Sequence, residues 1–178
     1  IKNQHGERLD YSVQAGESRS DFIVIIGHGV TGNKDRPFVV ALAKGLEAAG
    51  LPTLCMSFAG NGDSGGTFAD CTILKETDDL GSVIDAVGDR KICYIGHSMG
   101  GLVSRSALHQ GRERGDAWVD RISHLACLGA PHQGAVLERV GNQANRLLGV
   151  TPYSRPLMRL GNLRSDGIRD LRFGYVLE

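Results

Sequence analysis

The residues of this chain best placed to do chemistry are Gly96-His97-Ser98-Met99-Gly100-Gly101, a G-x-S-x-G pattern. The apolar run Lys91 to Ile95 precedes it and a helical stretch follows, so Ser98 falls on a strand-to-helix turn. A serine on so sharp a turn sits in a strained backbone, and Gly96 and Gly100 leave free the space that their side chains would otherwise fill. The turn lifts Ser98 Oγ above the sheet's C-terminal edge, and the helix N-terminus beneath it favours negative charge. Those are the requirements of a serine nucleophile.

A second glycine-rich turn, Gly27-His28-Gly29-Val30-Thr31-Gly32, closes an earlier apolar run. A carbonyl under attack becomes an oxyanion and needs backbone N–H donors aimed at it. The N–H groups of Val30 and Met99 are the two expected donors. His28 reads as a residue that hydrogen-bonds loop backbone in preference to one that moves protons. A third set, Gly60-x-Gly62-x-x-Gly65, has the letters of a dinucleotide fingerprint, but no helix is expected to open there and no suitable strand-helix unit follows. Neither a cofactor nor a metal is implied.

These turns need elements to hold them. Four short runs, Phe22 to Gly27, Pro52 to Phe58, Lys91 to Gly96 and Ile122 to Gly129, are apolar and bounded by turn residues, as strands buried on both faces should be. Helical patterns alternate with them. Pro37 to Ala49 carries Phe38, Leu42 and Leu46 four apart and is followed by Gly50 as a stop; Thr72 to Val87 has Thr72 as cap and Leu80, Val83, Ile84 and Val87 on one stripe; Met99 to Leu108 is the third. The order implies an α/β fold, a mainly parallel sheet with helices on both faces. Arg8 to Val13, after the turn at His5-Gly6, is expected as an antiparallel edge strand or hairpin. Beyond Gly129 the pattern turns helical and is broken at Pro152 and Pro156, so residues 1–132 read as the core and 133–178 as a helical cap-like segment of one domain.

The chain has 178 residues, 41% hydrophobic and 22% charged, enough for one domain with a core of its own. Twenty basic residues balance twenty acidic ones, which excludes a net-basic grip on nucleic acid. No apolar run approaches the roughly 20 residues of a membrane span. The four cysteines form no C-x-x-C pair, and three lie in strand-like runs, so reduced structural thiols and a cytoplasmic setting are expected. The chain opens on Ile1, so its natural start and any targeting signal are expected upstream. Up to Lys91 there are five Lys and four Arg; after it there are eleven Arg and no Lys.

The pair H-G-x-x-G at 28–32 and G-H-S-M-G-G at 96–101 resembles the serine-esterase arrangement of the α/β-hydrolase superfamily. The stretch Ser57-Phe-Ala-Gly-Asn-Gly-Asp-Ser-Gly-Gly66 resembles a loop of bacterial esterases and serine-aminopeptidase-like hydrolases. From Gly101 onward, Leu102 to His109 and Leu128-Gly-Ala-Pro-His-Gln-Gly134 look like the lipase-type branch that includes GPI-inositol-deacylase-like hydrolases. The change of branch accompanies the change from Lys to Arg, so a recombined chain stands as one reading and chance with an Arg-rich cap as the other. The resemblance implies hydrolysis of small-molecule or lipid esters through an acyl-enzyme at Ser98. It further implies a catalytic acid and His on loops after two later strands. This chain is expected to stop short of those strands, with both residues beyond Glu178.

Among the histidines present, His97 is expected to point off the far side of the elbow. His109 would lie about 16 Å along its helix from Ser98, and His124 near the wrong edge of the sheet. His132 alone would emerge on the edge of Ser98, either stabilising its own turn or acting as general base. A sheet cut after Gly129 would also leave an edge open to weak association. The competing reading is a hydrolase-fold module that binds a ligand or partner without turnover.

Overall fold

The computed structural model describes residues 1–16, 21–29 and 31–130. Five strands, β1 (Tyr11–Gln14), β2 (Phe22–Gly27), β3 (Thr53–Met56), β4 (Lys91–His97) and β5 (Ile122–Leu128), form one sheet in the order β1-β3-β2-β4-β5. Pairings β3-β2, β2-β4 and β4-β5 are parallel, and β1 runs antiparallel to β3 with Tyr11 opposite Met56. The helices are α1 (Pro37–Ala48), α2 (Ile73–Ala86) and α3 (Met99–Arg114), with 3₁₀ turns at Phe68–Asp70 and Ala117–Arg121. The opening segment is both hairpin and edge strand, since Lys2 bridges Arg8 around Gly6 before β1 begins.

Two cores explain why β2 is apolar at every position. Ile23 and Ile25 face Leu80, Val83, Ile84, Leu102 and Val103 of α2 and α3, whereas Val24 and Ile26 face Val39 and Ala43 of α1. The four parallel strands are therefore not alike. In β4 only Ile92, Tyr94 and Gly96 are buried, while β5 has no fully buried residue. The expected burial on both faces fails there because, among the described residues, α1 alone covers its side of the sheet, seated over β1, β3 and β2, and Cys93 and Ile95 of β4 only meet the edge of that cluster. Residues 131–178, including the expected cap-like segment from 133, lie outside the described residues. Among the described residues no helix is long and apolar enough to cross a membrane.

Local chemistry sets the helix ends. Thr72 Oγ1 accepts from the Lys75 N–H at 3.0 Å and starts α2 as its sequence implies. Gly115, left-handed at φ 72°, stops α3 six residues later than the apolar pattern alone suggests. In α1 the buried stripe is Val39 and Ala43, with Leu42 and Leu46 half-buried; Phe38, expected on that stripe, is 44% exposed. The helix turns toward the sheet by about one residue, and Phe38 is left beside the β2–α1 loop.

Helix α2 buries two carboxyls that its pattern did not announce. Asp79 accepts from Asn3 Nδ2 at 2.7 Å and from the Ala59 N–H at 2.8 Å, tying the N-terminal hairpin to the loop after β3. Glu76 is 1% exposed, and among the described residues neither its Oε2 nor Tyr94 Oη in the same core has a hydrogen-bond partner. Burial, with the nearby Asp79 second, holds the Glu76 carboxyl well above the ordinary carboxylate range. A group whose pKa is raised on folding stabilises the fold below its unfolded value and loses that contribution as pH rises through the folded one. Stability is therefore expected to fall above about pH 4.3, with a slope approaching 1.4 kcal/mol per pH unit. Urea midpoints at pH 5 and pH 8 should differ less in Glu76→Gln than in the parent; an identical pH dependence would show that Glu76 is ionised in the fold.

Candidate active site

Ser98 links β4 to α3 at φ 53° and ψ −120°, one of two described non-glycine residues with positive φ. A serine at a helix N-cap ordinarily turns its hydroxyl onto the first N–H groups. Ser98 makes no such bond. Its backbone is fixed instead, by its N–H on the Leu128 carbonyl at 2.8 Å and its carbonyl receiving the Gly101 N–H at 3.1 Å. The strained geometry thus leaves Oγ clear of the helix and the first turn of α3, Met99 included, without a side-chain cap.

The flanking glycines are demanded by backbone contact. A Cβ on Gly96 would stand 2.5 Å from the Gly100 carbonyl oxygen, one on Gly100 2.6 Å from that of His28, and one on Gly29 2.8 Å from Ser98 Cβ. The two glycine-rich turns therefore lie against each other, with Gly29 directly beside Ser98. Val30 lies outside the described residues. Its neighbours form a tight turn, with Thr31 at φ 54° and the Gly32 N–H on the Gly29 carbonyl at 3.0 Å.

His28 is buried, and both ring nitrogens are committed to backbone. Nε2 accepts the Phe58 N–H at 3.1 Å, so Nδ1 carries the hydrogen that it donates to the Gly29 carbonyl at 2.7 Å. Phe58 closes on the ring edge-on, with centroids 5.0 Å apart. Burial, the largest cause, depresses the imidazole to about 4. His28 is a neutral brace for the turn. Its contribution is complete above pH 6.5 and is lost as pH falls toward 4, by about 3 kcal/mol in full. Urea midpoints at pH 7 and 4.5 should show that loss in the parent and a smaller one in His28→Gln, which has no such proton to gain.

His97 departs from expectation. Its ring meets Phe38 at 5.0 Å with a 44° tilt and shares a cavity with Ser98. It does not point off the far side of the elbow, because the Ser98 turn directs it toward the β2–α1 loop, where Phe38 has been left uncovered. The cavity holds about 450 Å³ and is lined by His28, Gly29, Gly32, Arg36, Pro37, Phe38, Val39, His97 and Ser98. Arg36, Phe38 and Val39 were not foreseen at the site; the clue was the 39/43 spacing, which fits α1's buried stripe and sets Phe38 aside.

The other histidines stand where their elements imply: His124 near the start of β5, exposed, and His109 two-thirds along α3. His132 lies outside the described residues. Gly60 and Gly62 are left-handed turn residues and the Gly60 N–H closes on the Gly65 carbonyl at 2.7 Å, so this loop folds on itself and α2 opens only at Ile73. Among the described residues no three His, Cys, Asp or Glu side chains converge as metal ligands would. A larger recess of about 980 Å³ lies at the opposite edge of the sheet, where Arg114 and Arg121 are neutralised by Asp78 and Asp85.

A strained serine at a strand-to-helix turn, with a glycine-rich loop pressed against it, is the arrangement of one large fold family, and the family model described as alpha/beta hydrolase fold matches residues 23–148. The chain belongs to the alpha/beta hydrolase fold family. This alpha/beta hydrolase match runs through Gly96–Gly101 and across the change from Lys to Arg. Among solved structures, Est1E from Butyrivibrio proteoclasticus, with ferulic acid bound, is 28% identical; the likeness covers 74% of this chain and 55% of that one, with a TM-score of 0.61. An esterase of Pyrococcus furiosus is 21% identical, covering 96% of this chain and 63% of its own at a TM-score of 0.68. A monoacylglycerol lipase of Paleococcus ferrophilus is 19% identical, covering 82% and 52% at 0.59. The chain spans about half to two thirds of the length of these structures. No curated protein matches it.

Proposed function

We propose that this hydrolase acts on carboxylic esters through an acyl-enzyme at Ser98. The observation that carries the reading is the Ser98 turn itself: a positive-φ serine that declines to cap its own helix, at the wall of a cavity large enough for an acyl group. The esterase and lipase neighbours support the same chemistry. In the reaction Ser98 Oγ bonds to the carbonyl carbon and gives its proton to an imidazole. The N–H groups of Met99 and Val30 hold the oxyanion, and the alcohol leaves with that proton. Water then attacks the acyl carbon, loses a proton to the same imidazole, and releases the acid with Ser98 restored.

The base is not His28, whose nitrogens are both occupied. Within the chain His132 is the candidate; the alternative is a His outside residues 1–178. We assign residues 133–178 to the substrate cover. A second reading, ligand binding without turnover, draws on the fact that the cavity's described lining contains no imidazole beyond His28 and His97, and no carboxylate.

The test is mass-spectrometric location of a fluorophosphonate adduct, together with p-nitrophenyl ester turnover by the chain and by His132→Ala. An adduct confined to Ser98 and turnover abolished by His132→Ala establish the enzyme with its base at 132. No adduct and no turnover, in a chain that still binds ester analogues, favour the binding module.

A further inference from the structure

We propose that the cavity beside Ser98 selects a flat aryl group carrying a negatively charged substituent, with Arg36 as its anion partner. The inference rests on the ester-hydrolase reading for the placement of the scissile bond, but its own support lies in the opposite wall. At about 450 Å³ the cavity is of the size that holds small organic ligands. Phe38 and His97 both line it, their rings in mutual contact at a 44° tilt with centroids 5.0 Å apart, and such an aromatic wall suits a flat ring better than a flexible chain.

Among the described residues the charge at this wall has one sign. Arg36 lines the cavity, and its Nη2 donates to the Thr31 carbonyl at 2.7 Å, which anchors the guanidinium and leaves most of its five N–H donors for other partners. Lys34, two residues earlier, is paired with Asp10 and Asp35, whereas none of the ion pairs among the described residues uses Arg36. Helix α1 begins immediately after it with no side-chain cap and no acidic residue in its first turn, and that turn, Pro37 to Val39, lines the same cavity. The positive end of the helix thus adds to the arginine. No Asp or Glu is among the described lining residues. A neutral ester gains nothing from this field; an anionic substituent on the ring gains a charge-assisted hydrogen bond.

The experiment uses Ser98→Ala, so that binding is read without turnover. Two probes of nearly equal shape are compared by calorimetry: the monoanion of monomethyl terephthalate and methyl 4-carbamoylbenzoate, its neutral amide counterpart. The anion is expected to bind about fivefold more tightly, the scale of one partly solvated ion pair. Arg36→Gln in that background should bring the two affinities together, Arg36→Lys should retain a preference, and 0.5 M salt should erode it without any change at Arg36. Equal affinities for the two probes, or a preference that survives Arg36→Gln, overturns the proposal. Fluorophosphonate labelling of the parent separates the two readings. An adduct at Ser98 without the anion preference removes only the role of Arg36, and the preference without an adduct removes only the serine-hydrolase reading.

Discussion

Replacing Ser98 with alanine is expected to lower ester turnover by at least ~10³-fold and to abolish fluorophosphonate labelling, with KM little changed. The substitution deletes one oxygen and leaves the elbow in place. That geometry is set by Gly96 and Gly100 packing against backbone and by the Ser98 N–H on the Leu128 carbonyl, none of which involves Oγ. Alanine at φ 53° pays the same backbone strain that serine does, so the fold should survive with a melting temperature close to the parent's. The measurement is kcat on a short-chain p-nitrophenyl ester, with in-gel fluorescence for the label. Labelling that persists in Ser98→Ala places the nucleophile at another residue.

Exchange of Val30 for proline is expected to cost ~10²-fold or more in kcat, whereas Val30→Ala should change it little. The two substitutions separate a backbone role from a side-chain one, because proline removes the N–H and alanine keeps it. The position is promising because it follows Gly29, whose Cα lies so close to Ser98 that a Cβ there would come within 2.8 Å of the serine's own. Proline also holds the preceding residue in extended backbone, so a melting temperature must accompany the kinetics. Unchanged turnover in a folded Val30→Pro chain would move the donor to another residue of the 28–32 turn. Slower labelling in step with slower turnover would tie the loss to attack by Ser98.

Much of this site is local, and what is local was legible in the residues. Pro37 at the first turn of α1, Thr72 as the cap of α2 and Gly96 before Ser98 each act on neighbours within four residues, whereas Gly100 answers to the distant His28 carbonyl. The alternation of apolar runs with helical stripes likewise implies parallel strands joined by helices, since both faces of β2 must be covered. The antiparallel edge strand could be read in the same way from the turn before it.

Other features depend on how far an element rotates against its neighbours, which no short window records. Phe38 and Val39 are adjacent, equally apolar and both compatible with a buried stripe; the seating of Ala43 on β2 and β3 puts Val39 inside and Phe38 at the cavity. His97 follows, because its ring goes where Phe38 leaves room. Glu76 looks like an ordinary first-turn acid until the packing of α2 on Tyr94 buries it, and His28 becomes a fixed neutral brace only because Phe58, thirty residues later in the chain, presents its N–H to Nε2. The amino-acid sequence by itself determined that a serine would stand on a strained turn between a strand and a helix, since glycine spacing and apolar periodicity act at short range. Only the tertiary structure decided which side chains face that serine, because orientation toward a shared cavity is set by contacts between residues far apart in the chain.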